Sequence, residues 1–473
     1  MSTGVEPAGT DERSTAAEHE QGAPAAPAER NGERVPMSAT GAKWRNWGRT
    51  ESVRPRRVER PSSPEAVQRA VVAAASAGLP VKAIGSGHSF TGIAVAPGVQ
   101  LELDDLAGLV EADAASGRAV LRAGTKLHRL PALLEPYGLA MANMGDIDRQ
   151  SIAGATSTGT HGTGIGFGGL ATQIVGARLV TGEGEALVVN ESEQPELLPA
   201  VRLGLGALGI LTELTLQLVP RFVLHAVERP ESLDTVLADW ETRVRAADHF
   251  EFYWFPHTET ALTKTNTRLP GDAPLDPLGG ISRWLDDELL ANGLYRLVCG
   301  LGRAVPAVTP VFARQVEKLT GDRDFTDLSP KVFTTNRSVR FREMEYAVPL
   351  AVVPEALERI RRLIADRGWR ISFPVEVRAA AADDNWLSTA HGRETGYIAV
   401  HRYFREEPTE YFAAVEEILR SYGGRPHWGK MHTQTAESLR EVYPRFDDFL
   451  EVRERLDPKR RFRNPYLDRV LGA

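Results

Sequence analysis

At 473 residues the chain is too long for one ordinary core, so two domains are expected. With 42% hydrophobic and 25% charged residues, and no apolar run long enough to span a bilayer, it reads as soluble and globular. A net charge of −7 argues against a nucleic-acid partner, since phosphate binding wants a basic field, and the single Cys299 excludes an internal disulfide framework and Cys-based zinc sites.

Residues 1–42 are rich in Ala, Glu, Gly, Pro and Ser and hold hardly any large apolar side chain. They cannot bury enough surface to offset the entropy of ordering, so a disordered N-terminal extension is expected, with Met37 as a candidate true start. Ser63-Pro64-Glu65 supplies a helix cap, a first-turn proline and an acid; Val67, Ala70, Val71 and Ala74 mark the apolar stripe, and Gly78 the stop. A short buried strand over 79–83 then runs into Ile84-Gly85-Ser86-Gly87-His88-Ser89-Phe90. A Gly-x-Gly pair after a strand makes a tight turn whose backbone N–H groups can wrap an anionic group such as a pyrophosphate. His88 at its end could serve as a ligand, a base or a point of covalent attachment.

Strands are expected over 99–103 and 118–122, and a helix over 126–137 stopped by Gly138. Gly145-Asp146 leads into residues 152–164, which are small and hydroxyl-rich and include Gly154, Thr156, Ser157, Gly159, Thr160, His161 and Gly162. Such a stretch lets backbone approach a flat ligand closely and supplies many donors. A hairpin follows, 174–180 and 186–189 around a Gly-rich turn, then a short helix over 196–203 and a half-buried strand starting at Ile210. Two stretches, Gly164-x-Gly166-x-x-Gly169 and Gly204-x-Gly206-x-x-Gly209, fit the Rossmann pattern as text. Neither has the strand before and the helix after that dinucleotide binding needs.

From Pro220 the texture changes, with aromatics at Phe250, Phe252, Tyr253, Trp254 and Phe255. Residues 269–324 carry Pro, Gly and charge without a clear period. Strands over 341–348, 369–378 and 396–403 and helices over 354–366 and 409–422 then suggest an antiparallel sheet with helices on one face. Glu376 and Arg378, two apart in a strand, share a face, and Val375 and Val377 point the other way into a core. The pair can grip a polyhydroxylated substrate by charge-assisted hydrogen bonds, or form an ion pair on a solvated face. Lys430 follows His427-Trp428-Gly429 and on composition alone is a surface lysine. His427 and His432 could suggest a metal, but no carboxylate cluster joins them in the sequence, and no metal is expected.

Taken together, the 85–89 turn, the 159–164 run, Phe373-Pro374-Val375-Glu376-Val377-Arg378 and the tail from Pro426-His427-Trp428-Gly429-Lys430 to Asn464-Pro465-Tyr466-Leu467 resemble the vanillyl-alcohol-oxidase superfamily, in its sugar-lactone branch. The resemblance runs from about residue 43 to the C-terminus. It implies an α+β fold: a two-lobed FAD-binding domain over 43–220, an α+β substrate cap over 221–424, and a segment, 425–473, returning to the FAD domain. It implies FAD, attached covalently through His88, and cofactor contacts from Gly85, Ser86, Gly87, His88, Ser89, Gly145, Asp146, Gly154, Thr156, Ser157, Gly159, Thr160, His161, Gly162 and Ile210. Glu376, Arg378 and Lys430 are implied as the catalytic groups. The activity implied is oxidation of a CH–OH group of a sugar-1,4-lactone, with an alditol such as xylitol as the alternative donor and O2 or another acceptor taking the electrons. A cytoplasmic setting, with peripheral membrane attachment left open, is consistent with the one cysteine.

Overall fold

The computed structural model describes residues 42–279, 309, 322–335 and 339–473. Met37 and nearly all of the N-terminal extension lie outside the described residues, as do Cys299 and most of 269–324.

After a short paired ribbon, Trp44–Arg45 with Ser52–Val53, strand β1 (Arg57–Glu59) leads to helix α1 (Pro64–Ser76). Ser63 caps α1 by accepting from the Ala66 N–H, and Gly78 ends it with a φ of +64°, as the sequence predicts. The apolar stripe of α1 is buried at Val67, Ala70, Val71 and Ala74. Strands β2 (Val81–Ile84) and β3 (Val99–Glu102) follow, and β3 lies between β1 and β2 in a parallel three-stranded sheet. The turn at 85–89 is therefore thrown off the end of a buried strand.

A second sheet is antiparallel. Its strands are β4 (Leu109–Asp113), β5 (Arg118–Arg122), β6 (Ile174–Val180), β7 (Ala186–Asn190) and β8 (Ile210–Gln217), in the order β7-β6-β8-β5-β4. The expected hairpin is β6–β7. The helix expected over 126–137 is broken into three short turns, Leu127–Arg129, Leu130–Leu134 and Glu135–Tyr137. Pro131 and Pro136 each lack the N–H a continuing helix needs. The small-residue stretch is not all open loop, because Ile152–Ser157 forms a helix capped by Ser151. Neither Rossmann-like run has the required context: the run over 204–209 precedes β8 rather than following a strand, and the run over 164–169 leads only into a single turn, Leu170–Gln173.

Among the described residues the third sheet has eight strands, all antiparallel: β9 (Phe222–Ser232), β10 (His249–Trp254), β11 (Thr260–Pro270), β12 (Arg323–Leu328), β13 (Phe341–Pro349), β14 (Val375–Ala380), β15 (Thr395–Tyr403) and β16 (Arg425–Pro426). Their order is β12-β9-β11-β10-β14-β15-β13-β16. β14 is shorter than the 369–378 expected; it begins only after Pro374, which has no N–H to give a ladder. Two further helices, α2 (Val353–Asp366) and α3 (Thr409–Arg420), cover one face, packing Leu357, Ile360, Val415 and Leu419 onto Phe250, Phe252, Val375, Val377, Ile398 and Val400. Period two then leaves the other face polar, with Glu251 and Tyr253 on β10, Glu343 and Glu345 on β13, Glu376 and Arg378 on β14, and His401 on β15. After β16 come three helices, Ala436–Val442, Phe446–Leu456 and Pro465–Leu471, whose Leu439, Phe449, Leu467 and Val470 bury in the same core as α1 and β3. No helix among the described residues is long and apolar enough to cross a membrane.

Candidate active site

The 85–89 turn stands between two adjoining cavities, both lined by His88, Ser89, Gln150 and Thr158. The first is walled by small residues and backbone. Gly85, Ser86, Gly87, Gly154, Ser157 and Ile210 line it, together with Gly206 and Gly209. Gly87 holds a φ of +68°, a conformation the turn requires and other residues resist. The second is polar and lies beneath the sheet, taking Gly145, Asp146, Thr160, His161, Glu376, Arg378 and Lys430. Of the residues expected at the cofactor, Thr156, Gly159 and Gly162 line neither cavity. Thr156 is fully buried, with its hydroxyl donating 3.0 Å to the Ile152 carbonyl one turn back. Gly162 packs so closely that a Cβ would lie 2.2 Å from the Met144 carbonyl oxygen, and Gly159 turns the chain at φ +80° against Leu203. In this structure these three shape the backbone.

The paired cavities fit FAD. The groove walled by glycines and hydroxyls suits the nucleotide portion, and the adjoining polar chamber suits the ring and its substrate. At their junction, burial, with help from Lys430, Lys126 and Arg149, pushes His88 down to about 4, so its imidazole is neutral near pH 7 and keeps a lone pair. Trp47 stacks on it, ring centroids 5.9 Å apart.

Arg378 is the hub of the chamber. It pairs with Glu376, donates from Nε to Glu251 at 2.8 Å, and lies 3.8 Å from Asp146. The Tyr253 hydroxyl reaches Glu251 at 3.2 Å and Glu376 at 3.3 Å. Behind Glu251 stands Lys264 at 3.3 Å, itself 3.6 Å from Glu228, which Arg323 meets at 3.2 Å. Burial alone would raise the Glu251 carboxyl, but Arg378 and Lys264 outweigh it and hold the group at about 2. The Glu376–Arg378 pair is thus buried and networked; the solvated-face alternative does not apply.

The opposite wall belongs to β13. Lys430 pairs with Glu343, whose second oxygen lies 3.6 Å from Nε2 of His401. Burial would strip the Lys430 proton; Glu343 and Glu345 reverse that and raise its pKa. His161 donates from Nδ1 to the Gly162 carbonyl at 2.8 Å and meets Glu345 with Nε2 at 3.2 Å. Tyr397 stacks on the His161 ring at 3.6 Å. His427 completes a buried His–Glu–His trio with its candidate ligand atoms within 4.8 Å, so a carboxylate does stand beside one of the two histidines weighed for metal. Its Nδ1, however, accepts the Gly429 N–H at 3.0 Å, which puts its proton on Nε2, and burial pushes its pKa down to about 4. With both His161 nitrogens already engaged by oxygens and a proton on His427 Nε2, the trio fits a hydrogen-bonded cluster better than a metal's need for bare lone pairs.

Sequence reasoning missed Glu251, Tyr253, Lys264, Glu343, Glu345 and His401. One signal was present: Glu343 and Glu345 alternate with Met344 and Tyr346 in β13, a carboxylate pair on one face of a strand whose other face is largely apolar.

Comparison with known proteins follows the same lines. A family model described as D-arabinono-1,4-lactone oxidase matches residues 214–470, and one described as FAD binding domain matches residues 55–190. An L-gulono-1,4-lactone dehydrogenase of Mycobacterium tuberculosis is 44% identical over 91% of this chain and 99% of its own length. The L-gulonolactone oxidase of Bos taurus is 31% identical over 91% of this chain and 98% of its own, and the alditol oxidase of a Streptomyces species is 30% identical over 90% and 99%. Cholesterol oxidase from Brevibacterium sterolicum superposes with a TM-score of 0.79 at 18% identity, over 94% of this chain and all of that one, a likeness of fold. The match to the FAD binding domain supports FAD as the cofactor.

Proposed function

The chain belongs to the D-arabinono-1,4-lactone oxidase family of FAD-dependent oxidoreductases, and from that premise we propose that it oxidises a CH–OH group of a sugar-1,4-lactone of the arabinono or gulono type. The observation that carries the proposal is the buried Glu376–Arg378 pair facing His88 across one chamber.

In this reading the cap is 221–424, the FAD domain is 43–220 closed by 425–473, and His88 carries the cofactor covalently. Bound FAD supplies a hydride acceptor at N5. Arg378, locked by Glu251 and Glu376, presents a fixed guanidinium that binds the lactone's oxygens and sets the donor carbon over the acceptor. Glu376 accepts the hydrogen bond of the reacting hydroxyl. A carboxylate beside arginine is a weak base, but the hydroxyl becomes strongly acidic as its carbon loses hydride, and the proton then passes to Glu376. Lys430, kept charged by Glu343, offers a cation where negative charge develops.

Anaerobic addition of sugar-1,4-lactones and alditols, one at a time, tests this. A lactone of the gulono or arabinono type should bleach the yellow protein fastest. Faster bleaching by xylitol or sorbitol would assign the alditol reaction instead.

A further inference from the structure

Phe90 closes the active-site chamber on one side and lines a further cavity of about 460 Å³ on the other. The reaction proposed above makes no use of that space. Its walls include Met344, Phe412, Met431 and Tyr466, and its lining is mainly apolar. Its size is that of a small-molecule site. Glu51, Glu416, His432, Arg469 and three threonines also line it. Arg469 spans the cavity wall, with one N–H on the His432 carbonyl at 3.0 Å and its guanidinium 5.3 Å over the Tyr466 ring. His432 is 8% exposed. Its Nε2 lies 2.8 Å from the Tyr466 hydroxyl, which gives its own proton to the Trp428 carbonyl, so Nε2 carries the imidazole hydrogen. That leaves Nδ1 a bare acceptor, buried and without a hydrogen-bond partner among the described residues.

The wall itself is aromatic. Phe90 packs on Phe341 at 5.7 Å and on Trp47 at 6.1 Å, and Trp47 stacks on His88. Lys430 sits 5.5 Å over the Phe90 ring from the active-site side. One ring thus separates the two cavities, two residues along the chain from the histidine of the cofactor turn.

We propose that this cavity binds the electron acceptor, a quinone of naphthoquinone size. The inference rests on the lactone-oxidation reading for its source of electrons. A flat apolar ring fits the Met344, Phe412, Met431 and Tyr466 wall, and its carbonyl accepts from Arg469. The balance is complete: the substrate loses a hydride and a proton, and the quinone gains two electrons and two protons, its C=O groups becoming C–OH. The reduced cofactor carries the electrons between them.

The test fills the cavity from its rim with Ala413→Trp and, separately, Thr409→Trp, both exposed positions on α3 away from the chamber. Binding of 2-methyl-1,4-naphthoquinone to oxidised holoenzyme is measured by equilibrium dialysis, and reoxidation of dithionite-reduced holoenzyme by stopped flow, with ferricyanide as control. Both variants should lose about tenfold or more in quinone affinity and in quinone reoxidation rate, with ferricyanide unchanged. Wild-type quinone binding and reoxidation in the two variants would overturn the proposal, as would an equal loss with ferricyanide. Chemical reduction keeps this result independent of the lactone: a holoenzyme that lactones fail to bleach refutes the proposed substrate, and the quinone measurements still decide the cavity.

Discussion

Replacing Glu251 by Gln should destabilise the protein and loosen substrate binding together. Glu251 never needs to touch the substrate. It lies across from Lys264 in the β10–β11 register, and Lys264 lies across from Glu228 in β9–β11, so one carboxylate serves both Lys264 at 3.3 Å and Arg378 at 2.8 Å. Removing one partner of a buried ion pair costs about 3–5 kcal/mol. The glutamine oxygen can still accept from Arg378, which places the expected loss near the low end, about 3 kcal/mol. With a urea slope of about 3 kcal/mol/M, the unfolding midpoint should fall by about 1 M. The assay is urea unfolding of wild type, Glu251→Gln, Lys264→Met and the double variant. Because Lys264 loses its need for Glu251 when the charge is gone, the two costs should fall short of additive by about 0.5–3 kcal/mol. An unmoved midpoint, or two costs that simply add, would refute the network as the support of Arg378.

Other outcomes follow from the same geometry. Glu376→Gln should lower turnover by about 10²–10⁴-fold while the flavin spectrum stays, and wild-type turnover would remove Glu376 from the chemistry. His88→Ala should release its flavin into the supernatant on acid precipitation, whereas the wild-type pellet should stay yellow; a colourless wild-type pellet would exclude the covalent link. Glu345 is buried, which raises its pKa, but His161 and Lys430 bring it down to about 2, against an ordinary value of 4.5. The folded value lies below the unfolded one, so this stabilisation is complete above about pH 4.5 and drains away as pH falls toward 2. Urea midpoints between pH 5 and pH 3 should therefore fall less in Glu345→Gln than in wild type; parallel slopes would contradict the pairing.

Much of this architecture was legible in the sequence because its signals are local. The cap at Ser63, the stop at Gly78, the β6–β7 hairpin and the shared face of Glu376 and Arg378 each depend on residues within one element. What escaped depends on neighbours brought together by pairing. Glu251 and Lys264 look like ordinary strand charges until β10 and β11 align them under Arg378. His161 and Glu345 are distant in sequence and meet only when β13 is laid over the loop after Ser157. Around Thr156 the composition suits a ligand loop, while the helix Ile152–Ser157 turns the Thr156 hydroxyl inward. Prolines at 131, 136 and 374 cut expected elements short in ways their own stereochemistry explains.

The account turns on where the flavin ring lies. An anaerobic crystal structure of the holoenzyme with a bound sugar-1,4-lactone tests that directly. The ring should fill the chamber between His88 and the β14 wall, with the lactone hydroxyl about 2.6–3.2 Å from Glu376 and in contact with Arg378. A ring lodged elsewhere, or a lactone bound away from both side chains, would contradict it.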